Sequence, residues 1–387
     1  SVRIGAPYDP VTMDYAELNV DPATYIDTLI SDTLIRSKQG EYIGGAAESW
    51  ETSEDGKTWT FKLKEGLTYS DGETPITSED FVYAAKRLMD PEAGHYNAES
   101  GYILENGEEY YAGECEWDEV GIKAVDDLTI EYTFKNPQYE STFTSTSLFA
   151  PLEESFVDSL GTEYGSSADK ILTNGPFIVS DWVSDSTMTL VKNENYWDGE
   201  VPLDKVTLKC VDDQTTRSMA LQTGEIDIAY NLKTENLVEF EGNDNYDIQE
   251  LQSLRSTYAF MNQNEDHALS DKALRQALLR GLDKETYTSV LLEGGATPGK
   301  APVPPTLDFG FDDLKDENAY DPDGAKKILE EAGYKDVDGD GFVETPDGDP
   351  LVLDFVIYTS RAELGVYAQA AQASLKEIGI NIKLDCV

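Results

Sequence analysis

The end of the chain has the order strand, helix, strand, and this order constrains the fold more than any other feature of the sequence. Residues 351–357 form a mainly apolar run, and residues 380–384 alternate apolar and polar side chains, as strands do. Between them, apolar side chains recur at helical spacing up to a closing Gly379: Leu364, Tyr367, Ala371, Leu375 and Ile378. Two strands joined by a helix run parallel and need covering layers, so the sequence predicts an α/β fold.

An alternating segment predicts a β unit earlier in the chain, with one buried face and one solvated face. Asp55-Gly56 predicts a tight turn, and the residues after it alternate apolar and polar up to a second turn at Asp71-Gly72. Residues 77–80 match a helix start, whereas residues 92–120 are rich in Gly, Tyr and Glu and predict a loop. The aromatic and apolar side chains expected in the core of this unit are Trp50, Trp59, Phe61, Leu63 and Tyr69.

Further helices and strands are predicted in the second half of the chain. Residues 215–223 favour a helix that Gly224 ends, and residues 226–231 (IDIAYN) favour a strand. Ser270 is expected to cap a later helix, and Pro322 stands in the first turn of another. The chain is therefore expected to alternate strands and helices up to its last residues.

The charge of the chain excludes two classes of partner. Lys and Arg number 29 against 76 Asp and Glu, which gives a net charge of −47. Such a surface repels the phosphates of nucleic acids and anionic lipids. Cys115, Cys210 and Cys386 have no CxxC spacing and leave one thiol over, so neither a zinc site nor a disulfide framework is predicted.

The sequence offers little to catalysis. It contains two histidines, His95 and His267, with no cysteine or second histidine near them. The GxSxG, Walker, GxGxxG and HExxH patterns do not occur. We therefore expect a protein that is not an enzyme and requires no cofactor.

One acidic motif resembles a calcium-binding loop. Residues 336–347 have the D-x-D-x-D-G order with an acid at the twelfth position, and a glycine permits the tight turn. The twelfth residue is Asp where Glu is usual, and a strand follows instead of a second helix. A structural calcium site and a turn-rich acidic connection both remain open. The predicted ligands are Asp336, Asp338, Asp340, Phe342 through its carbonyl, Glu344 and Asp347.

Segments spread over the chain resemble the extracellular solute-binding proteins of the oligopeptide, dipeptide and nickel type (family 5), which serve ABC importers. The order and variety of these segments carry the resemblance. They are PVTMD (10–14), AAESWETSEDGKTWTFKLKEGLTYSDG (46–72), TSEDFVYAAKRLMDP (77–91), VGIKAVDDLTIEYTF (120–134), TNGPF (173–177), NENYWDG (193–199), TGEIDIAYN (223–231), LSDKALRQALLRGLDKE (269–285), AKKILEEAGY (325–334) and LKEIGINIKL (375–384).

The resemblance implies the two-lobed fold of periplasmic binding proteins, with a hinge between the lobes and an extra inserted domain. Lobe one is expected at 1–45 and 175–255, the small inserted α+β domain at 46–174, and lobe two at 256–387. Family members continue beyond the segment that resembles LKEIGINIKL. The resemblance thus implies that the C-terminal part of lobe two is missing, together with the acidic residue that pairs with a peptide's amino terminus.

The resemblance also implies a function, which is capture of short peptides in a cleft between the lobes. The expected partners are the permease subunits of an ABC transporter, and the expected location is extracytoplasmic, either periplasmic or anchored by a lipid, as a monomer. An oligosaccharide or nickel chelate as ligand, or a sensory or adhesive surface role, are the alternatives. By alignment with the family, the ligand-binding residues are Asn19, Val20, Asp21, Tyr102, Asn231 and Tyr258. Core packing for Tyr258 and strand-end capping for Asn231 stay open beside that role.

Overall fold

The structure is a computed structural model, and the chain divides into two compact units, residues 1–232 and 233–387. The predicted start of lobe two is residue 256. The described residues are 1–7, 9–18, 21–38, 40–199, 201–232, 234–249, 256–292, 295–304, 315–316, 318–358 and 362–387.

The first unit contains eleven strands and six helices among its described residues, joined by short 3₁₀ turns. In chain order they are β1 (Val2–Ala6), α1 (Asp21–Ile30), β2 (Ile35–Lys38), β3 (Glu41–Gly44), β4 (Ala47–Thr52), β5 (Thr58–Leu63), α2 (Ser78–Leu88), α3 (Gly107–Tyr111), β6 (Ile122–Asp126), β7 (Thr129–Thr133), α4 (Thr146–Phe149), α5 (Glu154–Leu160), β8 (Phe177–Val183), β9 (Thr187–Lys192), β10 (Lys205–Cys210), α6 (Gln214–Gln222) and β11 (Ile228–Ala229).

A five-stranded mixed sheet has the order β11-β1-β10-β9-β8. Strand β1 pairs in parallel with both β10 and β11, whereas β9 is antiparallel to its two neighbours. Strand β10, helix α6 and strand β11 form a βαβ unit whose two strands have β1 between them. Alternating apolar side chains of β9 and β10 pack with helix α1 in one core: Ile26, Ile30, Met188, Leu190, Val206 and Leu208.

A four-stranded antiparallel sheet, β4-β5-β7-β6, lies within the region predicted as an inserted domain. Trp59, Phe61 and Leu63 of β5 are buried, so the prediction from the alternating pattern is confirmed. Phe143 packs against Phe61 with ring centroids 4.6 Å apart. Helix α2 covers this core, and its start carries the predicted capping box between Thr77 and residue 80.

The second unit contains the predicted parallel βαβ arrangement. Its described elements are α7 (Thr234–Leu237), α8 (Lys272–Gly281), α9 (Lys284–Thr286) with a π-helical turn at Tyr287–Leu291, α10 (Pro322–Glu331), β12 (Val352–Ile357), α11 (Ala362–Glu377) and β13 (Asn381–Cys386). Strands β12 and β13 pair in parallel, from Val352↔Asn381 to Ile357↔Cys386. The prediction of a parallel α/β unit is therefore confirmed.

Three local predictions differ from the structure. Helix α8 is capped by Asp271, whose carboxylate accepts the Ala273 N–H at 2.8 Å, and Ser270 lies in the preceding 3₁₀ turn. The stretch 92–120 contains helix α3 and two 3₁₀ segments, and within it the rings of Tyr110 and Trp117 pack edge to face at 5.2 Å. The strand at 226–231 shortens to two paired residues, since its end turns into a left-handed residue, Asn231.

Candidate functional site

The carboxyl ends of three neighbouring parallel strands meet at one edge of the five-stranded sheet. Strand β10 leads into Val211, strand β1 into Pro7, and strand β11 into Tyr230 and Asn231. Backbone bonds extend the pairing past the strands, since Val211 N–H donates to the Ala6 carbonyl and Tyr230 N–H to the Gly5 carbonyl. In open α/β sheets, ligands bind outside the carboxyl ends of strands. This edge is therefore the candidate site within residues 1–232.

Asn231, a predicted ligand-binding residue, lies at this edge. It is exposed and has a φ of 56°, a left-handed conformation that residues other than glycine seldom adopt. Its backbone carbonyl accepts a hydrogen bond from Arg217 Nη2 at 3.0 Å. The side chain of Asn231 is thus held on an exposed turn at the end of β11.

The loop that leads to the other predicted contacts is fixed by hydrogen bonds of buried and half-buried polar side chains. Arg87 donates through two nitrogens to the carboxylate of Asp14, at 2.9 Å and 2.5 Å. The Asn97 amide donates to the carbonyls of Tyr15 and Leu18, at 3.0 and 2.9 Å. These bonds hold the chain up to the point where the predicted contacts begin. Asn19 and Val20 lie outside the described residues, and Asp21 is the first residue of helix α1.

The two predicted tyrosines, Tyr102 and Tyr258, belong to different units and differ in how far they are exposed. Tyr102 is half-buried in a 3₁₀ segment, with its ring 5.4 Å from that of Tyr111. Tyr258 belongs to the second unit, where it is 59% exposed and forms an edge-to-face pair with Phe260 at 5.0 Å. Tyr258 is therefore exposed among the described residues of the second unit.

The acidic loop gathers half of its predicted calcium ligands. Carboxylate oxygens of Asp336, Asp338 and Asp340 lie within 4.8 Å of one another, and all three residues are exposed. The Asp336 carboxylate also accepts the N–H groups of Gly339 and Gly341, which shapes the turn.

The remaining predicted ligands of this loop are placed differently. Glu344 is buried and its carboxylate accepts the Val337 N–H at 2.7 Å, so it braces the loop from inside. Asp347 is exposed outside the group of three, and Phe342 donates its N–H to Asp340 at 2.8 Å.

Two buried carboxyl groups near the end of helix α1 have distinct surroundings. Asp32 accepts hydrogen bonds from the Tyr196 hydroxyl at 2.9 Å and the Trp197 indole N–H at 2.6 Å. Asp27 accepts from the Thr146 hydroxyl at 2.6 Å. Burial raises the pKa of Asp27 to about 6 and also raises the pKa of Asp32, while in each case the donors partly oppose the rise.

Arg217, a buried arginine beside the candidate site, is not among the residues predicted from the sequence. It is completely buried, although arginine rarely is unless its donors are satisfied. The available signal was its position on helix α6, where Arg217 precedes the buried Ala220 by three residues and so shares its face. Only the folded structure shows that its donors meet carbonyls at the strand ends.

Three comparisons with known proteins bear on this chain. The sequence model described as "Bacterial extracellular solute-binding proteins, family 5 Middle" matches residues 41–387. The chain is 30% identical over 355 residues to the oligopeptide-binding protein OppA of Bacillus subtilis (strain 168), covering 89% of this chain and 63% of that protein. It is 31% identical over 350 residues to the dipeptide-binding protein DppE of the same organism, covering 87% and 61%.

A solved structure supports the same fold. Haemophilus influenzae OppA in complex with RPPGFSPFR superimposes with a TM-score of 0.76 at 25% identity, covering 100% of this chain and 75% of that one. Structures of this kind have two lobes, so the fold class predicted from the resemblance is confirmed. The chain spans about three fifths of the length of the curated relatives. Among the described residues, no helix has the length and apolar character needed to cross a bilayer.

Proposed function

Because the chain belongs to the bacterial extracellular solute-binding proteins of family 5, we propose that the complete protein is the substrate-binding component of an ABC importer and captures short peptides. The observation that carries this proposal is the family match over residues 41–387, together with relatives named for oligopeptide and dipeptide binding. The neighbour crystallised with a nonapeptide sequence supports the same class of ligand.

The candidate site suits the recognition of a peptide backbone. An extended peptide offers a regular row of N–H and C=O groups, and each bond to them contributes about 0.5–1.5 kcal/mol. A micromolar complex requires about 8 kcal/mol, so several such bonds must form together. Asn231 presents an amide on an exposed turn at the strand ends, where it can donate to a carbonyl and accept from an N–H.

The proposal is tested with the full-length protein and a library of di- to octapeptides. Native mass spectrometry should detect mixed peptides that co-purify, and thermal unfolding should shift upward with bound peptide. Asn231→Ala should weaken binding by about tenfold, because it removes two hydrogen bonds. Asn136→Ala, on an exposed loop after β7, is the matched control and should bind as the wild type does. No shift with any library member would contradict the proposal.

Oligosaccharides and nickel chelates are tested as alternative ligands in the same thermal-unfolding experiment. The exposed edge-to-face pair of Tyr258 and Phe260 would suit a sugar ring. A nickel chelate is less favoured, because one ring nitrogen of each histidine is already engaged. His95 Nδ1 bonds Glu17 at 2.6 Å, and His267 Nδ1 accepts the Leu269 N–H at 3.2 Å. A shift with oligosaccharides alone would replace peptide as the ligand.

The remaining parts of the proposal concern location and partners. We infer an extracytoplasmic protein, periplasmic or anchored by a lipid, that delivers its ligand to permease subunits as a monomer and performs no catalysis. Peptide uptake by cells should then stop when this gene and the permease genes are deleted, singly or together. Uptake that survives loss of the permease would favour a sensory or adhesive role.

A structural calcium ion is a separate proposal for the acidic loop of the second unit. Oxygen ligands are what Ca²⁺ prefers, and the three gathered carboxylates of Asp336, Asp338 and Asp340 fit such an ion. The Phe342 carbonyl and Asp347 would complete the set, whereas Glu344 is already engaged by the Val337 N–H. The ion would offset the repulsion among the gathered charges.

Calcium titration against a chelator tests this site directly. Added Ca²⁺ should raise the unfolding temperature of the wild type, and the double variant Asp338→Ala with Asp340→Ala should abolish the rise. Mg²⁺ at equal concentration is the control for ionic strength. An unchanged unfolding temperature in the wild type would leave the loop as a turn only.

A further inference from the structure

Arg217 connects the carboxyl ends of two strands that are not neighbours. Its Nη1 donates to the carbonyl of Val211 and, at 3.1 Å, to that of Asp212, both just after β10. Its Nη2 donates at 3.0 Å to the carbonyl of Asn231, just after β11. Because the side chain is completely buried, these carbonyls replace the water that its charge would otherwise bind.

Strand β1 lies between β10 and β11, and a glycine lets the arginine cross it. A Cβ atom at Gly5 would stand 3.2 Å from Cγ and 3.4 Å from Cδ of Arg217, and 2.6 Å from Cδ1 of Ile226. The last distance is shorter than real Cβ contacts, so a side chain at this position would displace Ile226 and crowd the arginine. The absence of a Cβ atom at Gly5 therefore leaves room for the stem of Arg217.

The bond to Asn231 fixes a backbone conformation that is unfavourable by itself. A left-handed φ is sterically disfavoured for residues with a Cβ atom, although asparagine tolerates it better than most. Arg217 holds the Asn231 carbonyl inside, which directs the exposed side chain outward from the strand end. Asn231 is also the second-last residue of the first unit, which ends at Leu232.

The geometry points to Arg217 as a positioning residue of the ligand site, which acts through Asn231 and depends on Gly5 for its path. This inference rests on the proposed function, since it assigns Asn231 to ligand binding. Arg217 itself stays buried and does not touch the ligand, so its effect on ligand binding is indirect. Arg217 thereby sets where the amide of Asn231 stands relative to the ends of β1 and β10.

Three variants of the full-length protein test the assignment. Their affinity is measured for the peptide library and for the library member that binds the wild type most tightly. Arg217→Met keeps the aliphatic stem and removes the donors, so affinity should fall about tenfold. Gly5→Ala should produce a loss in the same direction, since it disturbs the crossing without touching the guanidinium. Arg217→Lys keeps stem and charge, and it replaces the Met variant where that variant fails to fold.

Arg275→Met is the matched control for the loss of carbonyl bonds. Arg275 donates to the carbonyls of Leu269 and Ser270, at 2.7 and 2.8 Å, in the second unit. Its removal should leave peptide affinity unchanged. A loss in Arg275→Met equal to that in Arg217→Met would overturn the assignment, because the effect would then be general destabilisation.

A double-mutant cycle separates positioning from stability. In an Asn231→Ala background, the effect of Arg217→Met on affinity should shrink from about tenfold to less than about threefold. Exchange of the Tyr230 amide, which donates to the Gly5 carbonyl at 2.9 Å, should quicken in Arg217→Met. A full tenfold loss in both backgrounds overturns the assignment, as does wild-type affinity in Arg217→Met.

The outcomes distinguish this assignment from the proposed function. A wild type that binds no peptide overturns the proposed function and, with it, the assignment to ligand binding. A wild type that binds peptide while Arg217→Met binds equally well overturns the assignment alone.

Discussion

The two units differ in where their clustered aspartates lie. The first unit buries Asp14, Asp27 and Asp32, whereas the second exposes Asp336, Asp338 and Asp340 at its surface. The enclosed carboxylates are each engaged by side chains distant in sequence, such as Arg87, Thr146 and Trp197. The exposed ones bond mainly to backbone N–H groups of their own loop. Burial removes water as a partner, so an enclosed carboxylate depends on donors that only the fold can bring to it.

This difference has an electrostatic consequence. Water and salt screen the repulsion among the three surface carboxylates, so they can be gathered at small cost. Inside the first unit, burial raises the pKa of Asp27 and of Asp32 even though hydrogen-bond donors engage both carboxyl groups. Asp27 has a pKa of about 6 because a hydroxyl and a backbone N–H offset only part of its burial. Among the residues whose burial the structure describes, the buried acids are Asp14, Asp27, Asp32 and Glu344, and the others that contribute to the net charge of −47 keep contact with water.

The largest expected effect is that of breaking the enclosed ion pair. Arg87→Met leaves Asp14 buried without its cation, so the free energy of unfolding should fall by about 4 kcal/mol in urea titration. Arg3→Met is the matched control, because Arg3 and Asp227 are 41% and 40% exposed. The control should lose much less stability, because water screens an exposed ion pair. Equal losses would show that burial does not distinguish the two pairs.

The cluster around Asp32 should be the next most sensitive. Asp32→Ala leaves the Tyr196 hydroxyl and the Trp197 N–H without their acceptor, and we expect a loss of about 3 kcal/mol. Asp198 bonds the same Arg36 that lies near Asp32, but its side chain is 48% exposed. Asp198→Ala should therefore cost less than about 1 kcal/mol by chemical denaturation. A larger loss of stability from Asp198→Ala than from Asp32→Ala would contradict this prediction, because the exposed carboxylate would then contribute more than the buried one.

Asp27 should make stability depend on pH in the unusual direction for an acid. Its folded pKa of about 6 is above the ordinary 3.8, so the folded state binds the proton more tightly than the unfolded state does. Its contribution is therefore most favourable below about pH 4 and is lost as pH rises through about 6. Asp27→Asn should raise the free energy of unfolding by about 2 kcal/mol at pH 7.5 and give almost no gain at pH 4.

Urea titrations of wild type and Asp27→Asn between pH 4 and pH 8 measure this dependence. The difference between the two proteins should grow with pH and then level off above about pH 7. A difference that stays constant over the whole range would mean that Asp27 does not titrate there.

The smallest effect is expected at the acidic loop in the presence of chelator. Asp338→Asn with Asp340→Asn keeps acceptors for the N–H groups of Asp340 and Phe342 and removes two charges. The free energy of unfolding should change by less than about 0.5 kcal/mol, and toward greater stability. A loss above about 1 kcal/mol without metal would show that these exposed charges stabilise the loop directly.

The acidic loop and the strand ends also differ in how far the sequence revealed them. The order D-x-D-x-D-G is local, because each carboxylate bonds an N–H a few residues away, and the sequence identified all three gathered acids. Asn231 was predicted from family resemblance, and its left-handed conformation emerged only from the structure. Arg217 was missed because its partners, Val211 and Asn231, are brought together by strand order.

By itself, the sequence determined the elements whose signals repeat over short distances. The alternation at Trp59, Phe61 and Leu63 predicted β5, and the helical spacing behind residue 351 predicted the parallel pair β12 and β13, because backbone geometry sets those periods. The tertiary structure alone decided that β1 stands between β10 and β11 and that an arginine crosses it at Gly5. The contact between Gly5 and Arg217 joins residues more than two hundred positions apart, and the carbonyls that Arg217 binds lie just after two different strands, so neither contact leaves a periodic trace in the chain.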